Sequence, residues 1–288
     1  MMFCMNEITP LVSAVWLLEN LEKVVLVDVR FALGKPDFGL ESYRAGHLPG
    51  AVFLDLERDL SSPVREDRVG GRHPLPDPQT LATKISSMGI GNSSFVVAYD
   101  DPSSGQGFYA AHLWWLMRWL GHDEVAVLDG GLPAWLEAGG KLEVTEPQPS
   151  SATFTPKVRS EMVVDAAQVA ARSSSVALLD SRAAPRYRGE VEPLDWKAGH
   201  IPGAINMDWS EGLDARGKFK SSLEQQERFS KLENADEVLV YCGSGVSAGA
   251  NMLALELAGV KNPKLYAGSW SDWVSDPSRP VALGDETT

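Results

Sequence analysis

The chain is an internal duplication, because four blocks of its first half recur in the same order in its second half. The separation within a pair falls from 152 to 138 residues along the chain, so the halves differ mainly by deletions in loops. Whatever one half folds into, the other half must fold into as well. The paired blocks are 25–30 with 177–182, 43–51 with 197–204, 95–100 with 237–242, and 128–135 with 266–273.

Within each half, short apolar runs typical of buried strands alternate with helical patterns. One helix is predicted over 108–120, where Gly121 closes an apolar-rich stretch. The alternation predicts an α/β fold, with an open, mostly parallel sheet flanked by helices on both faces in each half. Residues 145–157 are rich in Pro, Ser and Thr, and are expected to form an extended linker between 1–144 and 158–288.

A second constraint lies at Cys242, which directly follows the apolar run 238–241. Two glycines come within the next three residues, and the pattern turns helical from Val246, with Gly259 as the predicted end of that helix. Glycines let the backbone turn sharply and point N–H groups inward, and a helix N-terminus favours negative charge. Both effects favour the thiolate, the reactive form of cysteine, so Cys242 is predicted to be a nucleophile.

Two chemistries use a cysteine in such a loop. Phosphate ester cleavage would need a longer loop and an arginine at the sixth residue after the cysteine, which here is Ala248. Sulfur transfer needs a thiolate that becomes a persulfide, whose charge a ring of amides can hold. Sulfur transfer is therefore favoured, and a sulfur carrier without fast turnover is an alternative from another class.

The first half lacks this nucleophile, because Asp100 stands at the position of Cys242. A carboxylate cannot accept a sulfane sulfur as a thiolate does, so the first half is expected to be an inactive scaffold. Cys4 has no glycine-rich loop around it and is expected to be incidental.

Composition limits the partners. The net charge of −13 argues against nucleic acid or an anionic membrane, and it repels an anionic sulfur donor unless particular arginines offset it. No apolar run is long enough to span a membrane, no secretory signal is visible, and two distant cysteines suit a reducing, cytoplasmic location. Five histidines without a nearby second ligand predict neither a metal site nor a cofactor.

Specific motifs resemble the rhodanese family: both Gly-His-(Leu/Ile)-Pro-Gly-Ala turns, Leu-Asp-Gly-Gly-Leu-Pro-Ala-Trp at 128–135, and the cysteine loop. From Leu11 to Trp273 the chain is similar to two-domain sulfurtransferases with an inactive first domain and a catalytic second domain. The resemblance implies two tandem rhodanese-like domains with the site between them. It also implies a persulfide on Cys242 that passes sulfur to cyanide, a small thiol or a thioredoxin-like acceptor.

The loop sequence carries the donor preference in that family. Cys-Gly-Ser-Gly-Val-Ser at 242–247 is similar to the loop of 3-mercaptopyruvate enzymes, whereas thiosulfate enzymes have two cations in the loop. A loop without a cation attracts dianionic thiosulfate less, so 3-mercaptopyruvate is the expected donor and thiosulfate the alternative. Ser244 is placed to hydrogen-bond a donor or relay a proton. The expected catalytic residues are Cys242, Ser244 and Ser247, and the loop residues expected to bind the donor are Gly243, Gly245 and Val246.

Arg186 matches the family arginine that binds the anionic end of the donor, a task suited to a bidentate guanidinium. Similar enzymes have a second arginine about nine residues later, where this chain has Asp195. Arg188 is the candidate substitute.

Further residues are expected to support the site. Asp180 and Arg182 resemble an ion pair that ties a strand end to the active-site region. Similarity to 3-mercaptopyruvate enzymes implies a proton relay of His47, Asp37 and the loop serine, although the matching His200 shows that this histidine also serves turn structure.

Three aromatic residues resemble the lining of the family's pocket. An apolar wall excludes water and slows loss of a persulfide, although core packing is an equal alternative for each residue. These residues are Phe108, Tyr109 and Trp209.

Overall fold

The computed structural model describes residues 9–104 and 107–285, so Cys4 lies outside the described residues. The chain divides into two compact units. The first unit comprises the chain up to Leu60, Asp77–Val158 and Arg216–Lys218, and the second comprises Ser61–Pro76, Arg159–Ala215 and the chain from Phe219. Each unit thus contains a short segment from the other half of the sequence. The sequence predicted contiguous domain boundaries, which do not include these short segments.

The first unit is built on one five-stranded sheet in which every pairing is parallel. Its strands are β1 (Leu11–Val12), β2 (Val25–Asp28), β3 (Val52–Phe53), β4 (Val96–Tyr99) and β5 (Val125–Leu128), in the order β1-β5-β4-β2-β3. Its helices are α1 (Ala14–Asn20), α2 (Phe38–Ala45), α3 (Pro78–Ser87), α4 (Tyr109–Trp119) and α5 (Gly131–Glu137).

The second unit repeats this plan with a second parallel sheet. Its strands are β6 (Val163–Val164), β7 (Val176–Asp180), β8 (Ala204–Asn206), β9 (Glu237–Tyr241) and β10 (Lys264–Tyr266), in the order β6-β10-β9-β7-β8. Its helices are α6 (Ala166–Ala170), α7 (Ala184–Tyr187), α8 (Ser222–Arg228), α9 (Ala248–Ala258) and α10 (Ser269–Trp273). The two strand orders are identical, which confirms the duplicated α/β fold predicted from the sequence.

The central strands β4 and β9 are buried, as their continuous apolar runs predict. The helix predicted over 108–120 is α4, which is buried on nearly all its sides, and Gly121 follows it with φ +83°. A left-handed φ costs glycine little, so glycine is suited to end a helix. Among the described residues, no helix is both long and apolar enough to cross a membrane.

A buried aspartate–arginine pair stands at the end of one strand in each unit. Asp28 Oδ2 lies 2.6 Å from Arg30 Nη2, and Asp180 Oδ2 lies 2.6 Å from Arg182 Nη2. The two arginines also donate to the carbonyls of Gly46 and Gly199, at 2.8 and 2.6 Å. Because each charge has a partner and further hydrogen bonds, the pairs can be buried without leaving an uncompensated ion. Each pair joins a strand end to the turn that follows in the sequence.

The duplicated histidine turns are built alike. His47 stacks on Tyr43 with ring centroids 4.0 Å apart, and His200 stacks on Tyr187 at 3.8 Å. In both cases the histidine Nδ1 lies 2.8 Å from the carbonyl oxygen of the tyrosine on which it stacks. Both histidines are fully buried. This common geometry gives the turn histidine a structural role in each unit.

Asp100 occupies, in the first unit, the place that Cys242 has in the second. It directly follows β4 and its Oδ2 accepts a hydrogen bond of 3.0 Å from the backbone N–H of Ala110 in α4. The side chain is 5% exposed. Burial raises the pKa of Asp100 to about 7, because desolvation disfavours the carboxylate more than the backbone hydrogen bonds favour it.

We expect Asp100→Asn to stabilise the protein more at alkaline than at acidic pH. An acid with a raised pKa in the folded state binds more protons folded than unfolded, so stability falls as pH rises from about 4 to about 7. The asparagine amide does not titrate, so the variant does not suffer this loss. The free energy of unfolding that the variant gains over the original protein should therefore be about 2–3 kcal/mol larger at pH 8 than at pH 5. Urea unfolding at both pH values measures it.

Asp67→Asn is a control without this pH dependence. The hydrogen bond from Arg65 lowers the pKa of the Asp67 carboxyl to about 2, so this group is ionised at both pH values in the folded and the unfolded protein. An equal gain for Asp100→Asn at both pH values would show that Asp100 titrates like an ordinary surface carboxyl.

Candidate active site

Cys242 lies at the carboxyl end of β9, the middle strand of the second sheet, and is 1% exposed. The loop 242–247 connects it to α9, which begins at Ala248 and ends at Gly259 with φ +78°. The helix ends where the sequence predicts and begins two residues later than predicted. Gly245 has φ +83° and therefore belongs to the turn that precedes the helix.

The start of α10 holds the main chain of this loop. The N–H groups of Trp270 and Ser271 donate to the carbonyls of Cys242 and Gly243, at 3.0 and 2.9 Å. Ser269 Oγ accepts from the Cys242 N–H at 3.1 Å and donates to the Tyr266 carbonyl at 2.9 Å. The nucleophile is therefore fixed by contacts to both its N–H and its C=O groups.

Ser269 is a residue that the sequence analysis missed. Its φ is +55°, in the left-handed region that non-glycine residues rarely adopt. The matching residue of the first unit is Gly131, with φ +54°. The signal was present in the sequence, because the duplicated block has a serine where its counterpart has the expected glycine.

The two glycines of the loop are needed for different physical reasons. A Cβ on Gly245 would lie 2.3 Å from the Ala267 carbonyl oxygen, so no side chain fits there. A Cβ on Gly243 would lie 2.9 Å from Arg72 Nη2 and 3.3 Å from Arg186 Nη1. Gly243 thus lets two guanidinium groups approach the loop next to Cys242.

Arg186, in the short helix α7, is held by Glu192. Its Nη2 lies 2.7 and 2.9 Å from the two carboxylate oxygens of Glu192, which is buried at 3% exposure. Arg182 Nη1 lies 3.3 Å from Glu192 Oε2. The carboxylate therefore couples Arg186 to the buried pair formed by Arg182 and Asp180.

The second guanidinium beside Gly243 belongs to Arg72. Arg188, the substitute expected from the sequence, forms an ion pair of 2.7 Å with the exposed Glu190. Arg72 comes from Ser61–Pro76, the segment of the first half that belongs to the second unit. The run Gly-Gly-Arg-His at 70–73 lies outside all four duplicated blocks, and that singularity was the available signal.

The segment that carries Arg72 is docked on α10 through its main chain. The N–H of Arg72 donates to Ser271 Oγ at 3.0 Å, and the N–H of Gly70 donates to Asp272 Oδ1 at 2.8 Å. A Cβ on Gly71 would lie 2.4 Å from the Gly268 carbonyl oxygen, so only glycine allows this approach. The same helix thus positions both the cysteine loop and the arginine segment.

His73 is the histidine at the loop serine. Its Nδ1 lies 2.8 Å from Ser244 Oγ, and both side chains are buried. Burial lowers the pKa of His73 to about 4, and the positive charge of Arg72 adds to this effect. At neutral pH His73 is therefore an uncharged imidazole, which can exchange a hydrogen bond with the Ser244 hydroxyl in either direction.

The relay expected at His47 stays a prediction. The His47 ring nitrogens lie 2.8 Å from the Tyr43 carbonyl oxygen and 3.3 Å from the Thr145 carbonyl oxygen. Asp37 is exposed and pairs with Arg58 at 2.8 Å. The repeated turn gives His47 a structural role within the first unit.

Other predicted residues are found in ordinary local settings. Tyr109 is buried in the first unit with its ring centroid 5.5 Å from that of Phe31 and 4.4 Å from that of Phe108. Trp209 is half-buried in the second unit, where it begins a short turn of 3₁₀ helix. The pocket-lining role of these aromatic residues stays a prediction. Within the loop, Val246 is buried, and Ser247 is half-buried immediately before α9.

Comparisons with known proteins identify the family of both halves. A family profile described as the rhodanese-like domain matches residues 13–138 and 165–276. A Pseudomonas aeruginosa protein named "Probable 3-mercaptopyruvate sulfurtransferase" is 49% identical over 268 residues, which cover 91% of this chain and 93% of that protein. A Mycobacterium tuberculosis protein named "Putative thiosulfate sulfurtransferase SseB" is 40% identical over 270 residues, which cover 91% of this chain and 92% of that protein.

Among solved structures, SseA of Escherichia coli is similar, with a TM-score of 0.79 and 33% identity over 92% of this chain and all of that chain. That structure is described as showing the rhodanese fold of 3-mercaptopyruvate sulfotransferases. Both halves of the chain therefore match one domain family, in sequence and in fold.

We expect Ser269→Ala to be less stable than Ser269→Gly. Both variants lose the hydroxyl that accepts from Cys242, so both should turn over more slowly than the original protein. Alanine alone keeps a Cβ at φ +55°, which should cost about 1 kcal/mol of unfolding free energy relative to glycine. Urea unfolding and turnover of the two variants measure the two effects separately.

Ser275→Ala is the matched control, because the Ser275 hydroxyl donates to the Asp272 carbonyl at the far end of α10. Its turnover should stay unchanged. A Ser269→Ala variant as stable as Ser269→Gly would contradict the assignment of backbone strain at this position.

We also expect the free energy of unfolding of His73→Gln to fall less than that of the original protein as the pH is lowered. Because the pKa of His73 falls from 6.5 to about 4 on folding, its contribution is present above pH 6.5 and is lost as pH falls toward 4. Glutamine does not titrate, so the loss of unfolding free energy between pH 7 and pH 4.5 should shrink by about 2 kcal/mol. Identical profiles for the two proteins would exclude a buried, neutral His73.

Proposed function

The chain belongs to the rhodanese family and is a sulfurtransferase, and we propose that it takes sulfur from 3-mercaptopyruvate through a persulfide on Cys242. The observation that carries this proposal is the juxtaposition of the buried Cys242 with the guanidinium of Arg186, which approaches the adjacent Gly243. A nucleophile beside a cation suits a small donor that has a sulfur at one end and a carboxylate at the other.

In the first step the Cys242 thiolate attacks the sulfur of 3-mercaptopyruvate. The new bond is S–S, and the carbon–sulfur bond of the donor breaks with its electron pair going to carbon. The leaving group is the enolate of pyruvate, which becomes pyruvate when it takes up a proton. The thiol proton of the donor balances this uptake, so the step needs no oxidant or reductant.

Ser244 and His73 are placed to move that proton. A neutral imidazole 2.8 Å from the Ser244 hydroxyl can accept its proton while the hydroxyl gives or takes a proton from the donor. His73 can accept the proton only because it is buried and uncharged, since a charged imidazolium could only donate.

Arg186 would bind the donor carboxylate. Glu192 holds its guanidinium from the buried side, while 19% of the Arg186 side chain stays exposed. A guanidinium fixed in this way loses little side-chain entropy when it grips a carboxylate. The donor is then oriented with its sulfur toward Cys242.

In the second step an acceptor attacks the outer sulfur of the persulfide. With cyanide the product is thiocyanate, and the Cys242 thiolate is regenerated. With a small thiol or a thioredoxin-like protein, the outer sulfur passes to the thiol of the acceptor. The S–S bond to Cys242 breaks in each case, which closes the cycle without a cofactor.

Thiosulfate is the alternative donor. The name of the Mycobacterium tuberculosis relative favours it, and attack on its outer sulfur would release sulfite and give the same persulfide. The loop argues for the other donor, because Gly243, Ser244 and Gly245 contribute no cation. Turnover with each donor at equal concentration ranks the two.

We expect Cys242→Ser to lower turnover by at least about a thousandfold, because the sulfur nucleophile is lost. Mass spectrometry of the original protein after exposure to 3-mercaptopyruvate should show one added sulfur on the peptide that contains Cys242. A Cys242→Ser protein that still moves sulfur from the donor to cyanide would exclude the mechanism.

Arg186→Met should raise the KM for 3-mercaptopyruvate about 10- to 100-fold, the loss expected for a charge-assisted bidentate contact. Arg188→Met tests the alternative assignment, and its exposed pair with Glu190 predicts a change of about twofold or less. A larger increase in KM for Arg188→Met than for Arg186→Met would show that Arg188 binds the donor instead.

A further inference from the structure

Arg72 reaches the same loop residue as Arg186 from a distant part of the sequence. A Cβ on Gly243 would lie 2.9 Å from Arg72 Nη2, closer than any atom of Arg186. Arg72 is 18% exposed and Arg186 is 19% exposed, so both guanidinium groups are partly open. The cysteine loop has no cation of its own, but two guanidinium groups thus lie beside it.

Asp195 lies between these two arginines. One of its oxygens accepts a hydrogen bond from Arg72 Nη1, and the other, Oδ2, lies 3.7 Å from Arg186 Nη2. In the part of the chain that the structure describes, Asp195 Oδ2 has no hydrogen-bond partner although it is buried. Asp195 therefore binds Arg72 directly and influences Arg186 through its charge.

The charges around Gly243 balance formally. Three guanidinium groups, those of Arg72, Arg182 and Arg186, are linked by ion pairs to three carboxylates, those of Asp180, Glu192 and Asp195. The carboxylates of Glu192 and Asp195 are 3% and 7% exposed, less than Arg186 and Arg72 at 19% and 18%. The more exposed groups of this cluster, which carries no net charge, are therefore the two guanidinium groups beside the loop.

We propose that Arg72 is the second arginine that binds the donor carboxylate, and that Asp195 positions it and limits the positive charge at the site. The pair would thereby favour a donor with one carboxylate over a dianion such as thiosulfate. This inference rests on the proposed function, because it assigns donor selection to residues of the same site.

The chemistry follows from the number of charges. A single carboxylate has two oxygens, which two fixed guanidinium groups can bind together. A second negative charge on the donor would gain from extra positive charge, and Asp195 cancels that charge within a few ångströms. Removing the negative charge of Asp195 should therefore help a dianion more than a monoanion.

The experiment compares Arg72→Met, Asp195→Asn and the double variant with both donors. Arg72→Met should raise the KM for 3-mercaptopyruvate about 10- to 100-fold, while persulfide on Cys242 still forms at saturating donor. Asp195→Asn should raise the ratio of kcat/KM for thiosulfate to that for 3-mercaptopyruvate about tenfold. The double variant removes one charge of each sign, and its ratio should return to within about threefold of the original.

Arg65→Met is the matched control, because Arg65 forms an exposed pair with Asp67 in the same segment, at 2.7 Å. It should leave both KM values unchanged. Arg72→Lys keeps the charge without the two-pronged geometry, and should raise the KM for 3-mercaptopyruvate by an intermediate factor. Arg72→Lys tests the role of Arg72 even if Asp195→Asn does not fold.

An unchanged KM in Arg72→Met and Arg72→Lys would overturn the role of Arg72. An unchanged donor ratio in a folded Asp195→Asn protein would overturn the role of Asp195. Either result leaves the proposed function intact as long as the original protein forms the persulfide. Failure of the original protein to form a persulfide with either donor would remove the proposed function itself.

Discussion

The buried pair of Asp180 and Arg182 is the interaction on which the second unit depends. Arg182 binds Asp180 at the end of β7, donates to the Gly199 carbonyl, and contacts Glu192 at 3.3 Å. Its guanidinium also lies 4.6 Å from the ring centroid of Trp270 in α10. One buried cation therefore connects a strand end, a turn, the carboxylate that holds Arg186, and the helix that fixes the cysteine loop. Its removal would leave the buried Asp180 carboxylate without a counter-ion, which is costlier than losing the contact itself.

The first unit shows which of these features belong to the architecture. Asp28 and Arg30 repeat the pair, and the N–H of Leu132 donates to the Asp100 carbonyl at 2.9 Å, as that of Trp270 does to Cys242. The main-chain frame is therefore independent of the chemistry. The second unit differs at the side chains on that frame, where a thiol replaces a carboxyl and Ser269 replaces a glycine. The hydroxyl of Ser269 adds a contact to the nucleophile at the cost of a strained backbone, as is common at functional sites.

Local sequence patterns predicted those features of the fold that depend on interactions between residues close in the sequence. The apolar runs located the central strands, the glycines located the loop and the helix end at Gly259, and the duplication predicted two sheets with one strand order. The side chains that complete the site come from Ser61–Pro76, and the contact between His73 and Ser244 joins residues 171 positions apart. Such a contact leaves no periodic signal in a single sequence. The relay expected at His47 rests on a motif that is repeated in both halves and therefore reflects the common frame, whereas the unrepeated Gly-Gly-Arg-His run supplies the histidine that contacts Ser244.

The net charge of −13 poses a problem for any protein that must attract a small anion. Interactions between exposed charges fade beyond roughly 10 Å at moderate salt, so the arrangement of charges within the site outweighs the total. Here the arginines are the more exposed members of their pairs, at 18% and 19% against 7% and 3% for the carboxylates. Because the carboxylates are more buried than these guanidinium groups, a cluster of zero formal charge exposes mainly hydrogen-bond donors. Gly243 contributes to this arrangement, because a Cβ there would lie 2.9 Å from Arg72 Nη2 and 3.3 Å from Arg186 Nη1, and both groups would have to shift to make room.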